Sequence, residues 1–555
     1  MSRKDAKTPM AMQPVAGSPR RSQRKSFHAL VQCSGSSRII AALICRKSNS
    51  GNVHANVITK RSRHGLNPKR RRRCMPFLTE LIAACRDEVT LHGADISVTG
   101  MTADSRQVSP GMLFAAIPGV KLDGAKFIAQ AKEKGAAAVL AQNPHPELPT
   151  LVSNNIRRSV AEMARACYPQ MPEYIMAVTG TNGKTSVADF YRQLWEVKHR
   201  AASIGTLGLL GVPAALEAQF PAVNTSPDPI LLAQMLQAIA QHKIEHVAME
   251  ASSHGLHQHR LDGVPIDTAV FTNLTQDHLD YHGDMEQYFL AKARLFTDFP
   301  LSHAVINADD ANGQRLQALV PHLSTMTYGV RGKTCRLFKV EPVVEGLAVH
   351  LSLHGEIFED IIPLYGRFQM HNIAAALCAV VAQGMPVANA LQGIAHLQGV
   401  SGRMERVALH PNAAPMFIDY AHTPDALEQV LTSLRAHCTN HLHVVFGCGG
   451  DRDTTKRALM GSVAEKLADN IIITDDNPRT ENAAGIRAQI LAGIKEKRVT
   501  QIPDRREAIR AAVHQLSEDD ILVVAGKGHE AYQIIGDQTY DFNDKAELLE
   551  AVKTL

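Results

Sequence analysis

The run Gly180-Thr-Asn-Gly-Lys-Thr185, followed by Ser186, has residue types and spacing suited to gripping phosphate. An apolar stretch from Tyr174 to Val178 leads in, and Val187 to Val197 leads out with helical character. The loop is therefore expected to join a buried strand to a helix start. There the backbone N–H groups and the helix dipole both favour an anion. Gly180 and Gly183 let the backbone come close, Lys184 reaches the terminal phosphates and Thr185 offers a hydroxyl to Mg²⁺. Thr181, Asn182 and Ser186 complete the cradle. The common motif has glycine at position 178, where this chain has valine. The competing reading is a plain Gly-rich turn, but Gly-Lys-Thr in this setting points to ATP.

Other polar groups gather after apolar runs. Glu250 ends the run His246 to Glu250, where a charge is costly unless paired. In an ATP-using domain such an acid holds Mg²⁺; otherwise it caps a helix or faces solvent. Ser252 to Arg260 is a donor-rich loop, and Asn273 to Gly283 supplies Asp277, His278, Asp280 and His282. A neutral imidazole there could bind metal, although an isolated histidine is more often a hydrogen-bond partner. By itself Lys292 reads as a solvated lysine on a helix.

These groups need elements to position them, and the chain supplies three blocks after a basic extension. Residues 1–74 carry 18 Lys or Arg against Asp5 alone, a balance of +17, and end in Lys69-Arg-Arg-Arg-Arg73. With +5 for the whole chain, residues 75–555 stand at −12. The extension reads as disordered, with three explanations: a nucleic-acid arm, a transit peptide, or an upstream stretch added by a wrong start codon. The last is favoured, because Met75 opens an amphipathic helix. The acidic body disfavours long nucleic-acid tracks. No apolar run reaches the ~20 residues that span a bilayer. The nine cysteines lack metal or disulfide spacing and fit a reducing, cytoplasmic setting.

Block 75–170 alternates short strands (Ser97–Met101, Leu113–Ile117, Ala137–Ala141) with a helix at Ile128–Lys134. Block 171–400 places strands at Tyr174, His246–Glu250, Thr268–Phe271 and Ala304–Ile306, separated by helices Pro229–His242 and Met285–Phe296. Block 401–555 repeats the pattern with five strands and four helices. The expected class is α/β in three domains: a small N-terminal domain, a central P-loop-type doubly wound sheet, and a C-terminal Rossmann-like open sheet. Ligands then gather beyond the strands' carboxyl ends. Gly447-Cys-Gly449-Gly450 is no GxGxxG fingerprint, so a dinucleotide-dependent dehydrogenase is a poor reading.

In order and spacing, Gly180 to Thr185, Asn224-Thr-Ser226, Glu250 to Gly255, Thr272 to His278, His371-Asn372, Gly402-Arg403, Asp419 to His422 and Gly526 to Glu530 resemble the Mur ligases over residues 76–555. The resemblance implies ATP-driven amide formation through an acyl phosphate, as a monomeric enzyme with small-molecule substrates and neither nucleic-acid nor membrane partners. It adds Asn372 and Arg403 to the ATP set and aligns Thr185, Glu250 and His278 with metal positions. Lys292 matches a lysine that the family carbamylates, which would make it a metal-orienting anion. Lys184, Lys292 and His278 become the expected catalytic residues. Ser105 matches the family's uridine-binding turn, and Asn224, Thr225, Ser226, Ser252, Gln258 and Arg260 match positions that hold the muramoyl-peptide and its diphosphate. Val120-Lys121 stands where relatives often carry His-Gln.

The family's amino-acid pocket maps to Arg452, Asp476, Asn477, Pro478, Arg479, Gly526 and Glu530. Arginine grips a carboxylate with two parallel bonds, and diaminopimelate has a second carboxylate that lysine lacks. Arg479 therefore suits the diacid, and the resemblance implies that meso-2,6-diaminopimelate is joined to UDP-N-acetylmuramoyl-L-alanyl-D-glutamate for peptidoglycan synthesis. Another Mur ligase or a folylpolyglutamate synthetase would share the ATP domain but lack Asp476 to Arg479. A nucleic-acid-binding ATPase or a non-catalytic plastid relative are the remaining alternatives.

Overall fold

The computed structural model describes residues 75–555, apart from 120–122, 223, 344, 497 and 498, and the strands 42–47 and 53–58. The chain divides into Met1–Cys74 and Met75–Leu555. In the first unit, Ala42–Lys47 pairs antiparallel with Val53–Ile58. The rest of the expected basic extension lies outside the described residues, as do Val120 and Lys121.

The described residues of the second unit hold three large sheets and one two-stranded ribbon, as the alternation of short apolar strands and helices leads one to expect. The N-terminal sheet runs in the order Val89–His92, Thr150–Ser153, Ala138–Ala141, Leu113–Ala115, Met101–Thr102, with only the first pair antiparallel. Its edge strand begins later than expected, since Ser97 instead forms an isolated bridge to Phe77.

The central sheet has ten strands. Its parallel heart orders Ala201–Gly205, His246–Glu250, Tyr174–Thr179, Thr268–Phe271, His303–Asn307 and Ser324–Gly329. Tyr174–Thr179 is almost wholly buried, as befits a strand covered on both faces. Val187, Phe190 and Leu194 of helix Lys184–Glu196 share one face with Ile373 and Leu377 of helix Phe368–Ala382. Leu232 and Leu236 of Pro229–Gln241 and Phe289 and Leu295 of Met285–Thr297 cover the other. Each such side chain contributes about 1.5–3 kcal/mol of burial. Sequence periodicity had not shown the antiparallel extension Cys335–Val343, Gly346–Leu353, Glu356–Ile362. Its signal is present in Leu347, Val349, Leu351 and Leu353, which alternate inward.

The C-terminal sheet orders Glu405–Leu409, Pro415–Asp419, Ile521–Ala525, Leu442–Phe446, Asn470–Ile473 and Val499–Gln501, parallel except for its first pair. A ribbon of Tyr532–Ile535 and Gln538–Asp541 follows it.

Candidate active site

The phosphate cradle forms where Tyr174–Thr179 ends and helix Lys184–Glu196 begins. Gly183 precedes the helix, and no side chain caps it, leaving first-turn amides for an anion. Gly180 has φ +151°, and a Cβ there would lie 1.8 Å from Thr272 Oγ1. At Gly183, with φ +87°, a Cβ would stand 2.4 Å from Asn372 Oδ1. Both positions therefore require glycine. Thr181 Oγ1 donates to Thr275 O at 3.1 Å, and Asn182 N to Asn273 Oδ1 at 2.9 Å. Asn372 Nδ2 donates to Gln369 Oε1, and Ser186 is buried behind the loop.

Two expected lysines share one acceptor. Lys184 Nζ donates to Gly180 O at 3.0 Å and Thr181 O at 2.8 Å; Lys292 Nζ donates to the same Gly180 O at 2.7 Å. Lys292 is 1% exposed and lies 4.4 Å from the centre of the Tyr288 ring. Burial, reinforced by Lys184, pushes its amine well below lysine's ordinary value. Burial lowers Lys184 too, with Glu250 and Asp277 opposing. His278 has φ +54° and sits 3.4 Å from Asp277. Burial, with His254, Lys184 and Lys292 assisting and Asp277 opposing, takes its imidazole down to about 3.

Thr185 Oγ1 donates to Glu250 Oε1 at 3.0 Å and accepts from Arg403 Nη2 at 3.1 Å. Glu250 is 1% exposed; its further donors are Thr206 N at 2.7 Å and Thr206 Oγ1 at 3.2 Å. Hydroxyl and carboxylate oxygens are the donors that Mg²⁺ takes, usually completed by water and substrate phosphates. Thr185 and Glu250 fit that ion, whereas the His278 imidazole is a softer donor. No bond in this structure joins His278 to that pair. Among the described residues, no three His, Cys, Asp or Glu side chains cluster for a metal.

The residues expected to hold the nucleotide-sugar peptide on the central domain are stitched together. Thr225 Oγ1 lies 3.1 Å from Thr206 Oγ1, and Ser226 Oγ donates to Glu250 O while accepting from Ser252 N. Ser252 Oγ caps a short helix through Gly255 N. Arg260 donates to Ser226 O at 2.8 Å and to Gln258 Oε1. Asn224 is exposed beside them. Ser105 stands apart in the N-terminal domain, nearly buried, its hydroxyl 2.6 Å from Gln130 Oε1.

The C-terminal domain carries the residues expected to hold the amino acid. Asn477 is buried, donating to Glu530 Oε2 at 2.9 Å and accepting from Lys527 Nζ at 3.1 Å. Glu530, expected in the amino-acid pocket, already has Lys527 Nζ 2.8 Å away. Arg479, at φ +51°, donates to Gly450 O at 2.8 Å. It has no ion pair among the described residues, nor does exposed Arg452. Asp476 and Pro478 are buried, and Asp476 lies against Gly526. The link to the cradle runs through Arg403, whose guanidinium lies 4.3 Å from the centre of the Tyr420 ring, and on to His529. Asp425 Oδ2 also accepts from Asn182 Nδ2 at 2.9 Å.

Thr206 and Asp425 were missed in the sequence, and Lys527 was marked only as part of the run Gly526 to Glu530, with no role of its own. Thr206 follows a strand end two residues before a turn glycine, and Asp425 stands in the first turn of its helix. Only the folded chain shows which loop each faces.

The chain matches the Mur ligase family, catalytic domain over residues 97–177, the Mur ligase middle domain over 178–380, and the Mur ligase glutamate ligase domain over 402–528. It is 45% identical to the UDP-N-acetylmuramoyl-L-alanyl-D-glutamate–2,6-diaminopimelate ligase of Caulobacter vibrioides, covering 83% of this chain and 96% of that one. The Coxiella burnetii protein of the same name is 41% identical over 86% of this chain and 99% of its own. A solved structure of a ligase of that name superposes with TM-score 0.59 at 35% identity, covering 82% of this chain and 95% of the other. MurF from Thermotoga maritima in complex with ADP shares the fold, with TM-score 0.58 at 18% identity over 82% and 97% of the two chains.

Proposed function

Since the chain belongs to the Mur ligase family, we propose that it is the ATP-dependent ligase adding meso-2,6-diaminopimelate to UDP-N-acetylmuramoyl-L-alanyl-D-glutamate in peptidoglycan precursor synthesis. The observation that carries the choice of amino acid is Arg479, a half-buried guanidinium without a carboxylate partner among the described residues. Leaving that charge unpaired is costly, and a diacid's distal carboxylate would relieve it with two parallel bonds.

The reaction is a problem of charge. ATP must phosphorylate a carboxylate that repels it, giving an acyl phosphate and ADP; the amine then attacks the acyl carbon and phosphate leaves. Lys184 leaves its carbonyl partners to clamp the phosphates, and the amides after Gly183 take the remaining oxygens. Arg403 reaches the same point from the C-terminal domain through Thr185. Thr185 and Glu250 would hold Mg²⁺, which when bound would neutralise charge as phosphate and carboxylate approach; the place of His278 and a carbamylated Lys292 beside it rests on the family resemblance alone. The depressed amine of Lys292 suits carbamylation, because only the neutral form attacks CO₂, forming an N–C bond and releasing a proton. No described helix is long and apolar enough to cross a membrane.

The test supplies residues 75–555 with ATP, Mg²⁺ and the muramoyl-dipeptide nucleotide, and compares diaminopimelate with lysine by phosphate release. Phosphate release with diaminopimelate alone is expected. Arg479→Ala should raise the KM for diaminopimelate by about tenfold or more while sparing that for ATP. Equal turnover of lysine, or equal effects on both KM values, would refute the choice.

A further inference from the structure

Asp262 plays no part in the site above, yet its carboxyl gathers three guanidinium groups and an imidazole. Its Oδ2 lies 2.9 Å from His259 Nδ1, 3.1 Å from Arg158 Nε, 3.1 Å from Arg294 Nη2 and 3.4 Å from Arg86 Nη2. The Asp262 side chain is wholly buried. Burial alone would raise its pKa, but His259, Arg294 and Arg158 hold it down at about 2. Each arginine has a second carboxylate: Glu162 for Arg86, Asp87 for Arg158 and Asp298 for Arg294. Such a network is satisfied in one arrangement of its elements and expensive in any other.

Those elements are the ones that must cooperate on a long substrate. Arg158 lies on helix Ile156–Cys167 and Arg86 on the loop before Val89, both in the domain that carries Ser105. Arg294 is two residues beyond Lys292 on the same helix and also donates to Leu256 O. His259, at φ +59°, sits between Gln258 and Arg260. One buried charge thus ties the nucleotide end, the muramoyl-peptide loop and the Lys292 helix.

Resting on the function proposed above, we propose that Asp262 is a positioning residue that registers the uridine-holding domain against the loop and helix presenting the reacting carboxylate. Its loss then penalises a ligand only when that ligand spans both domains. The test measures Kd by calorimetry for the full muramoyl-dipeptide nucleotide and for the same dipeptide sugar phosphate lacking the uridine monophosphate part. For Asp262→Asn, the full ligand should weaken about tenfold and the truncated one by less than about twofold. A milder variant, Arg158→Gln, keeps the buried carboxylate and should weaken the full ligand about threefold, again sparing the truncated one. A general loss of folding would scale both ligands alike. Equal weakening of the two ligands, or unchanged binding of both, in the two variants would overturn the role. Failure of the wild-type protein to release phosphate with the full nucleotide would instead sink the proposed function.

Discussion

Lys292 shows a side chain whose surroundings set its chemistry. Its amine is buried against Gly180 O and the Tyr288 ring, with no carboxylate bonded to it. The folded pKa lies below the ordinary 10.5, so between the two values the unfolded chain binds a proton that the folded chain does not. Stability is therefore whole above pH 10.5 and declines as the pH falls below it. In degassed buffer, Lys292→Met should abolish ligation yet melt at an equal or higher temperature, its advantage widening as the pH is lowered from 10.5. A drop in melting temperature at every pH would contradict this. On the sequence, a lysine at this position reads as solvated surface, and only the family motif picks it out. Arg479 stood out from its chemistry, and in the fold its guanidinium bonds only main-chain oxygens, with no carboxylate partner among the described residues. The partner of Glu530 did not stand out, because Lys527 reaches it only once the loop from Gly526 to Glu530 is folded.

Among elements, the strand before Gly180 was readable to within a residue, while the helix begins at Lys184, three residues before the expected Val187. Gly180→Ala places a methyl 1.8 Å from Thr272 Oγ1 at φ +151°, so the loop must move. ATP binding by calorimetry should weaken by about a hundredfold, with the strands around it intact by circular dichroism. Unchanged ATP affinity would show that the backbone there does not touch phosphate. The parallel strands were legible as short apolar runs, whereas the antiparallel extension was not. Its half-exposed strands spread their signal over alternate residues, and Glu356–Ile362 exposes apolar Ile357 and Ile361 along with its acids.

At the scale of the whole molecule, the C-terminal domain reaches the cradle through the turn after Gly402. Met404, a non-glycine at φ +48°, donates its N–H to Asp419 Oδ2 at 2.6 Å, and Ala421 N donates to Oδ1 at 2.7 Å. That turn delivers Arg403 to Thr185. Burial raises Asp419 from 3.8 to about 6, against Arg403 and the two amides. The folded chain therefore keeps the proton longer than the unfolded one, and stability falls as pH climbs from 3.8 through about 6. Over that interval the carboxylate gains its full grip on Met404. The expected pH–rate profile has an acid limb near 6. Asp419→Asn should lose that limb and about tenfold in kcat, with the KM for diaminopimelate little changed. An unaltered limb would assign it to another group. Nothing in the sequence marks this grip, because the contact joins residues on two different strands' ends.

Asp262 has one more consequence, which concerns the medium around the protein. Exposed pairs such as Arg315–Glu286, with side chains 44% and 51% exposed, fade as ions crowd in, the screening length shrinking to about 3 Å in molar salt. A carboxylate from which water is excluded is nearly deaf to that screening. The first two lobes should thus stay aligned across osmotic swings that loosen the outer surface.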